Sequence, residues 1–250
     1  MPRYDFRTPR LFIEAPLRSG RTLELDPAQT NYLRNVLRLG AGEAVLAFNG
    51  RDGAWRAALA GSGKRALSLQ VGEQTRAQTQ PADVHYLFAP LKHARLDYMV
   101  QKAVEMGASR LQPVLTRHTQ VARVNLDRMR ANAIEAAEQC GILTLPEIAA
   151  PISFDRMLAE HDNTRLLVFC DEDAELKDPV AALVAARPKS GPCPLAVLVG
   201  PEGGFAEDER AALVKAGNVV RLALGPRILR ADTAAVAALA LVAAVLGDWR

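Results

Sequence analysis

The chain has 250 residues, of which 49% are hydrophobic and 24% charged, with a formal net charge of +3. That balance supports a buried core in one large domain or two modest ones, and excludes a disordered or collagen-like chain. Three cysteines, Cys140, Cys170 and Cys193, without CxxC spacing exclude a disulfide framework and argue against a structural zinc site.

Arg3, Asp5, Arg7 and Arg10 interrupt any apolar N-terminal run, so no secretory signal is expected there. The longest apolar stretch, Ala234 to Leu246, is short and alanine-rich. It reads as a buried helix and not a membrane span. A soluble, cytoplasmic protein is the expectation. Residues 1–75 hold 11 Lys/Arg against 7 Asp/Glu, whereas residues 76–250 hold 20 against 21. The positive excess lies at the front, a weak pointer to nucleic acid that a solvated arginine-rich surface explains about as well.

In chain order, LFIEAPL, TLELD, AVLAFNG, AWRAALAG and ALSLQVG read as short strands within residues 10–71. Asn49-Gly50, Asp52-Gly53 and Gly61-Ser62-Gly63 mark turns. One helix interrupts them, opened by Asp26-Pro27, reaching Leu39 and stopped by Gly40. This pattern predicts a small β-barrel domain over residues 1–73, with a polar, aperiodic linker at 74–81.

From residue 82 strands and helices alternate. DVHYLFAP, LQPVL, RLLVFC, LAVLVG and VVRLALG read as strands. Leu96, Met99, Val100, Ala103 and Val104 share one helical face. Further helices start at Asn125 and at Asp178-Pro179. Another has Glu207, Asp208 and Glu209 in its first turn, and the last runs from Thr233 to Leu246. This predicts an α/β domain over 82–250 with a mostly parallel sheet covered on both faces.

Two apolar strands end in glycine-bearing turns: LVGPEGGF at 198–205 and LGPRILRADTA at 224–234. A glycine turn is more often structural than functional. Here, however, the preceding strand is wholly apolar, and ligands of open α/β sheets sit beyond the carboxyl ends of strands. The first turn is neither a Walker A loop nor a dinucleotide fingerprint. It carries Glu202 among close backbone groups. The second carries Arg227 and Arg230 around apolar Ile228 and Leu229, which predicts Arg230 near a buried interface. Asp232 reads as a cap of the last helix.

The remaining candidates are weaker. His85, His93, His118 and His161 lack metal-ligand spacing and read as structural or surface residues. Cys140 and Cys170 read as small buried side chains. Lys92, Lys102 and Glu105 read as a solvated helix face, and Arg117, Arg123, Arg128 and Arg130 as a basic surface run.

The paired turns resemble those of the ribosomal RNA small-subunit methyltransferase E family, a branch of the SPOUT class of knotted methyltransferases. The resemblance extends to PLKHARLDYMVQKAVEMGASRLQPVLTRHT, to EAAEQCG at 135–141, and to TPRLF and Tyr32–Glu43 in the N-terminal part. It implies a SPOUT-type α/β domain with a C-terminal deep trefoil knot, preceded by a small PUA-like β-barrel. Three departures stand out. Asp232 replaces the family's glutamate, Ile142 replaces an arginine after EQCG, and Met106 stands within the family's Glu-Leu-Gly.

The implied activity is transfer of a methyl group from S-adenosylmethionine to N3 of a uridine in 16S rRNA, by a homodimer without a metal. The implied cofactor loops are Phe169–Glu172, Gly200–Gly204 and Leu222–Arg230. The cofactor-binding candidates are therefore Phe169, Cys170, Asp171, Leu198, Gly200, Pro201, Glu202, Gly203, Gly204, Leu222, Leu224, Gly225, Ile228, Leu229 and Arg230. Arg230 is the candidate that stabilises charge developing on uracil O2 and O4. Glu202 is the candidate for orienting groups or accepting the proton. Arg7, Arg10, Arg34, Arg38, Lys92, Lys102 and Arg117 are candidate phosphate contacts to the 30S subunit.

Two other readings stay open at this point. One is a ribose 2′-O methyltransferase of the same class, whose usual Gly-Asn-Glu and Ser-Leu-Asn strings are absent here. The other is a non-catalytic RNA-binding assembly protein.

Overall fold

A computed structural model describes residues 5, 7–61, 67–175, 178–189 and 193–249, with the backbone only at His93. Arg3 and the Ser62-Gly63 part of the expected turn lie outside the described residues, as does the His93 side chain. The chain divides into two compact units, Met1–Gln80 with Ala137–Leu145, and Pro81–Ala136 with Pro146–Arg250.

In the first unit, strands β1 (Arg10–Phe12), β2 (Thr22–Glu24), β3 (Ala44–Phe48), β4 (Ala54–Ala60) and β5 (Ser68–Arg76) form a sheet in the order β1-β3-β4-β5-β2. The β1–β3 pair is parallel and the others antiparallel. No ladder joins β1 to β2 among the described residues, so strand pairing alone does not close a barrel. Alternating side chains such as Val45, Ala47, Ala57, Leu59, Leu69 and Val71 fill one core, with Leu33 at its centre.

The expected single helix is shorter. Helix α1 (Pro27–Asn31) opens on a capping box between Asp26 and Gln29, then widens into a π-helical turn at Tyr32–Val36. Arg38 follows with φ 58°, a left-handed conformation unusual for a non-glycine residue. Gly53 (φ 78°) is required where it stands: a Cβ there would lie 2.2 Å from the Arg76 carbonyl oxygen.

The segment expected to be a linker is strand as far as Arg76, paired with Ala54. Residues 137–145 belong to this first unit too. Glu138 accepts a hydrogen bond from the Phe12 amide at 2.8 Å, and Arg76 donates to the Gly141 carbonyl at 2.8 Å.

The second unit holds β6 (Val84–Phe88), α2 (His93–Glu105), β7 (Arg110–Leu115), α3 (Leu126–Cys140, shared with the first unit), and the short β8 (Glu147–Ile148) and β9 (Ile152–Ser153). Helix α4 (Phe154–Ala159), β10 (Leu166–Cys170), α5 (Pro179–Ala185), β11 (Leu195–Val199), α6 (Glu207–Lys215), β12 (Val219–Leu222) and α7 (Ala231–Val245) follow. The strand order is β12-β10-β11-β6-β7-β8, with β9 beside β7, and every pairing is parallel.

Strands β10 and β11 are buried at all ten positions, as continuous apolar runs covered on both faces must be. Leu167, Phe169, Ala196 and Leu198 face Phe154 and Met157 of α4 and Leu213 of α6. On β6, Tyr86 stacks on Phe88 at 5.1 Å and donates its hydroxyl to Met99 of α2 at 3.1 Å. Helix α7 packs against α2, α5 and β11 of its own chain. No described helix is long and apolar enough to cross a membrane.

Candidate functional site

Because β10, β11 and β12 are parallel neighbours, their carboxyl ends and the loops that follow them gather at one edge of the sheet. A cavity of about 370 Å³ lies there. Its walls are Cys170–Glu172, Val199–Phe205, Leu222–Leu229, Ala231 and Ala234. The two glycine-bearing turns therefore meet in space, as the ligand reading of the sequence requires.

Most of the expected cofactor residues line this cavity. Three do not. Phe169 and Leu198 are fully buried beneath it, because strand alternation turns both toward α4 and α6. Phe169 supports the site from below, edge-on to the Phe205 ring at 4.9 Å. Arg230 is the N-cap residue of α7 and is exposed, outside the cavity lining. The sequence placed Arg230 near a buried interface; within this single chain both Arg230 and its neighbour Ile228 are exposed, Ile228 at 93%. Asp232 lies within the first turn of α7 and accepts from the Thr233 amide, so it is not the cap. Phe205, Ala223, Pro226, Ala231 and Ala234 also line the cavity; they lie within the motifs or the implied loops but were not among the named cofactor candidates.

Asp171 lines the cavity, but its carboxylate is committed to the protein. Arg221 donates to it at 2.5 Å and Arg210 at 3.2 Å, while its own amide donates to the Leu222 carbonyl at 3.0 Å. Arg210 also pairs with Glu172 and Asp173. The oxygens of Asp171, Glu172 and Asp173 lie within 4.8 Å of one another, and these two guanidiniums match much of their charge. The Cys170 thiol, at the end of β10, is pushed up to about 12 by burial and then by the Asp171 charge, so it stays protonated. Cys140, in contrast, is exposed and corrects the expectation of burial.

The first glycine turn is held from two sides. His118 Nδ1 lies 3.1 Å from the carbonyl oxygens of both Gly203 and Gly204, where it acts as a donor. Glu209 is 7% exposed and accepts from the Ala206 amide at 2.9 Å and the Arg117 amide at 2.8 Å. It ties the turn after β7 to the start of α6, a role its place in an acidic run did not reveal. The Glu202 carboxylate is paired with Arg95 of α2 and accepts no backbone hydrogen bond among the described residues.

Among the candidate phosphate contacts, Lys92 and Arg38 are exposed. Lys102 is bound to Glu105 at 2.7 Å and lies over the Tyr98 ring, and Arg117 is paired with Asp208 at 2.5 Å. In the first unit, Arg7 is exposed, Arg34 is half-buried, and Arg10 donates to the Asp5 carbonyl at 2.8 Å.

Two family models match the chain: an RNA methyltransferase domain over residues 78–243 and an RNA methyltransferase PUA domain over residues 25–72. The ribosomal RNA small subunit methyltransferase E of Rickettsia conorii is 31% identical over 234 residues, covering 93% of this chain and 94% of that protein. The protein of the same name from Synechocystis is 32% identical over 229 residues, covering 90% of this chain and 74% of its own length. A crystal structure of ribosomal RNA small subunit methyltransferase E from Neisseria gonorrhoeae, bound to S-adenosyl methionine, has a TM-score of 0.85 at 27% identity. It covers 98% of this chain and all of that one. With its family domain spanning more than half the chain and a curated relative above 30% identity along nearly its whole length, the chain belongs to the ribosomal RNA small subunit methyltransferase E family.

Proposed function

We propose that this protein transfers a methyl group from S-adenosylmethionine to N3 of a uridine in 16S rRNA of the 30S subunit. The observation that carries the reading is the cavity of about 370 Å³ where the 200–205 and 222–229 loops meet. Its size suits a nucleoside-sized ligand. Much of its wall is glycine, alanine, proline and leucine, so backbone groups supply much of the polarity that would hold an adenine ring.

The bound donor supplies an electrophilic methyl on a sulfonium, which makes a covalent enzyme intermediate unnecessary. The chain's contribution is alignment, worth about 7–11 kcal/mol of barrier for well-oriented reactants. Uracil N3 becomes nucleophilic once its proton leaves, and the charge spreads onto O2 and O4. The Arg230 side chain makes no hydrogen bond or ion pair among the described residues (its carbonyl accepts from the Ala234 amide), which supports it as a guanidinium available to that charge. Glu202 is the candidate for orienting groups or taking the proton.

The deep trefoil knot implied by the family resemblance would be formed by 169–172, 200–204 and 222–230. A homodimer acting in the cytoplasm is part of the same proposal. So is a barrel domain over 1–73 that supplies RNA affinity through Arg7, Arg10, Arg34 and Arg38.

The test is mass mapping of methylated nucleosides in 16S rRNA from cells with and without the gene, joined to turnover of Arg230→Ala. Loss of one N3-methyluridine without the gene, and lost turnover with an intact fold in the variant, are expected. A ribose-methylated nucleoside in its place would assign the chain to 2′-O chemistry. Wild-type turnover by the variant would remove Arg230 from the mechanism.

A further inference from the structure

A second cavity, of about 270 Å³, adjoins the first and shares Pro201 and Glu202 with it. Pro90, Leu91 and Val121 give it an apolar floor, and Lys92, Arg95 and Gln120 bring polar groups to it. Lys92 and Gln120 are exposed, and their side chains make no hydrogen bond or ion pair among the described residues. Arg95 crosses to Glu202, the one side chain with a carboxylate on both linings. Lys92 is the N-cap residue of α2 and Arg95 lies in its first turn, with no acid there. Two cations at that end oppose the helix macrodipole, so helix stability does not explain them.

Resting on the methyltransferase reading above, we propose that this cavity takes the acceptor: a single pyrimidine nucleotide turned out of its RNA. Its ring lies on Pro90, Leu91 and Val121, and its phosphate lies against Lys92. Arg95 acts as a positioning residue that holds Glu202 on the wall between acceptor and methyl donor. The chemistry selects this class. An apolar floor suits a planar ring, a free ammonium suits a phosphate, and the Gln120 amide offers both a donor and an acceptor to an imide edge. A base turned out of the stack needs a pocket of one nucleotide, and 270 Å³ is near that scale rather than that of a helical segment. The shared wall places such a base next to the donor cavity.

The test uses the full-length protein and purified 30S subunits from cells lacking the gene. Arg95→Ala is expected to lower kcat about a hundredfold, the scale of a misplaced reacting group. Lys92→Ala is expected to raise KM for the subunit and reduce the salt slope of binding by about one. Neither should shift the Kd for S-adenosylmethionine by more than about twofold, and Arg95→Lys should recover part of kcat by restoring the ion pair. In parallel, photocrosslinking of 4-thiouridine 5′-monophosphate to the wild-type protein, followed by peptide mapping, is expected to label segments 90–95 or 120–121.

Crosslinks confined to other segments would overturn the proposal. So would unchanged kcat and KM in both variants, or cofactor affinity falling as far as turnover, since the ion pair would then merely brace the cofactor loop. If the wild-type protein methylated no nucleoside, the methyltransferase reading itself would fall, a result separable from any behaviour of the variants.

Discussion

Nε of Arg221 donates to Oδ2 of Asp171 across 2.5 Å, joining the end of β12 to the loop after β10. The Asp171 side chain is wholly buried, and the guanidinium of Arg210 approaches its other oxygen. This carboxylate thus fixes one wall of the larger cavity from inside the protein. Replacing Asp171 by Ala leaves two guanidiniums facing a buried void. The expected cost is about 3 kcal/mol in denaturant unfolding, with cofactor affinity reduced as the 171–175 loop loosens. A variant as stable as wild type, with an unchanged Kd, would show that the loop holds without it.

Gly200 approaches a ring and not open space. A Cβ there would lie 2.5 Å from Cε2 of Phe205, whose ring in turn rests on Phe169. Gly200→Ala is expected to destabilise the fold by about 1–3 kcal/mol through overpacking and to weaken S-adenosylmethionine binding at least tenfold in calorimetry. Gly203→Val extends the test, because its Cβ would already stand 3.4 Å from His118. Full affinity in both variants would mean that this turn does not shape the donor site.

The three cysteines give a chemical probe of burial. Cys170 is a protonated, buried thiol, whereas Cys140 is exposed. Iodoacetamide at pH 8 is expected to label Cys140 in the native protein and to reach Cys170 only after unfolding. Rapid native labelling of Cys170 would contradict its place beneath the cavity.

Two histidines make stability fall on the acid side of neutrality. Burial is the largest effect on both His85 and His161 and lowers them from the ordinary value of 6.5. The unfolded chain then binds more protons than the folded one as pH drops through 6.5. The stabilising difference is complete above 6.5 and is lost as pH falls toward the folded-state values. Tm should therefore be lower at pH 5.5 than at pH 7.5, and the difference should shrink in His85→Gln. A Tm that rises on acidification over this window would contradict the assignment.

Arg38 separates RNA contact from folding. Its left-handed backbone (φ 58°) carries a cost that glycine does not have, offset by glycine's greater freedom in the unfolded chain. Arg38→Gly should change stability by less than about 1 kcal/mol yet weaken binding to 16S rRNA and flatten its salt dependence. Unchanged RNA affinity would remove Arg38 from the interface.

Several features of the second unit were legible from residue order because their signals are local. The all-apolar runs at β10 and β11, the Asp178 cap of α5 and the glycine turns after two strands each depend on a few consecutive residues. In the first unit the helix start at Asp26-Pro27 was legible in the same way, whereas the reciprocal bond from Gln29 and the π-helical turn after α1 were not. The short β8 and β9 and helix α4 were missed because two-residue strands and a six-residue helix have too few positions to show a period.

Sequence alone determined that two glycine-bearing strand ends exist, that the all-apolar strand before the first of them is buried on both faces, and that an acidic run opens α6. It did not determine which side chains face the cavity, because whether a strand residue such as Phe169 or Leu198 points up or down depends on register with neighbours far along the chain. Nor did it pair Arg95 with Glu202, Arg117 with Glu209, or Asp171 with Arg221, which stand 107, 92 and 50 residues apart. Those partnerships were decided by the strand order β12-β10-β11-β6-β7, since only the crossovers of a parallel sheet bring such distant segments to one edge.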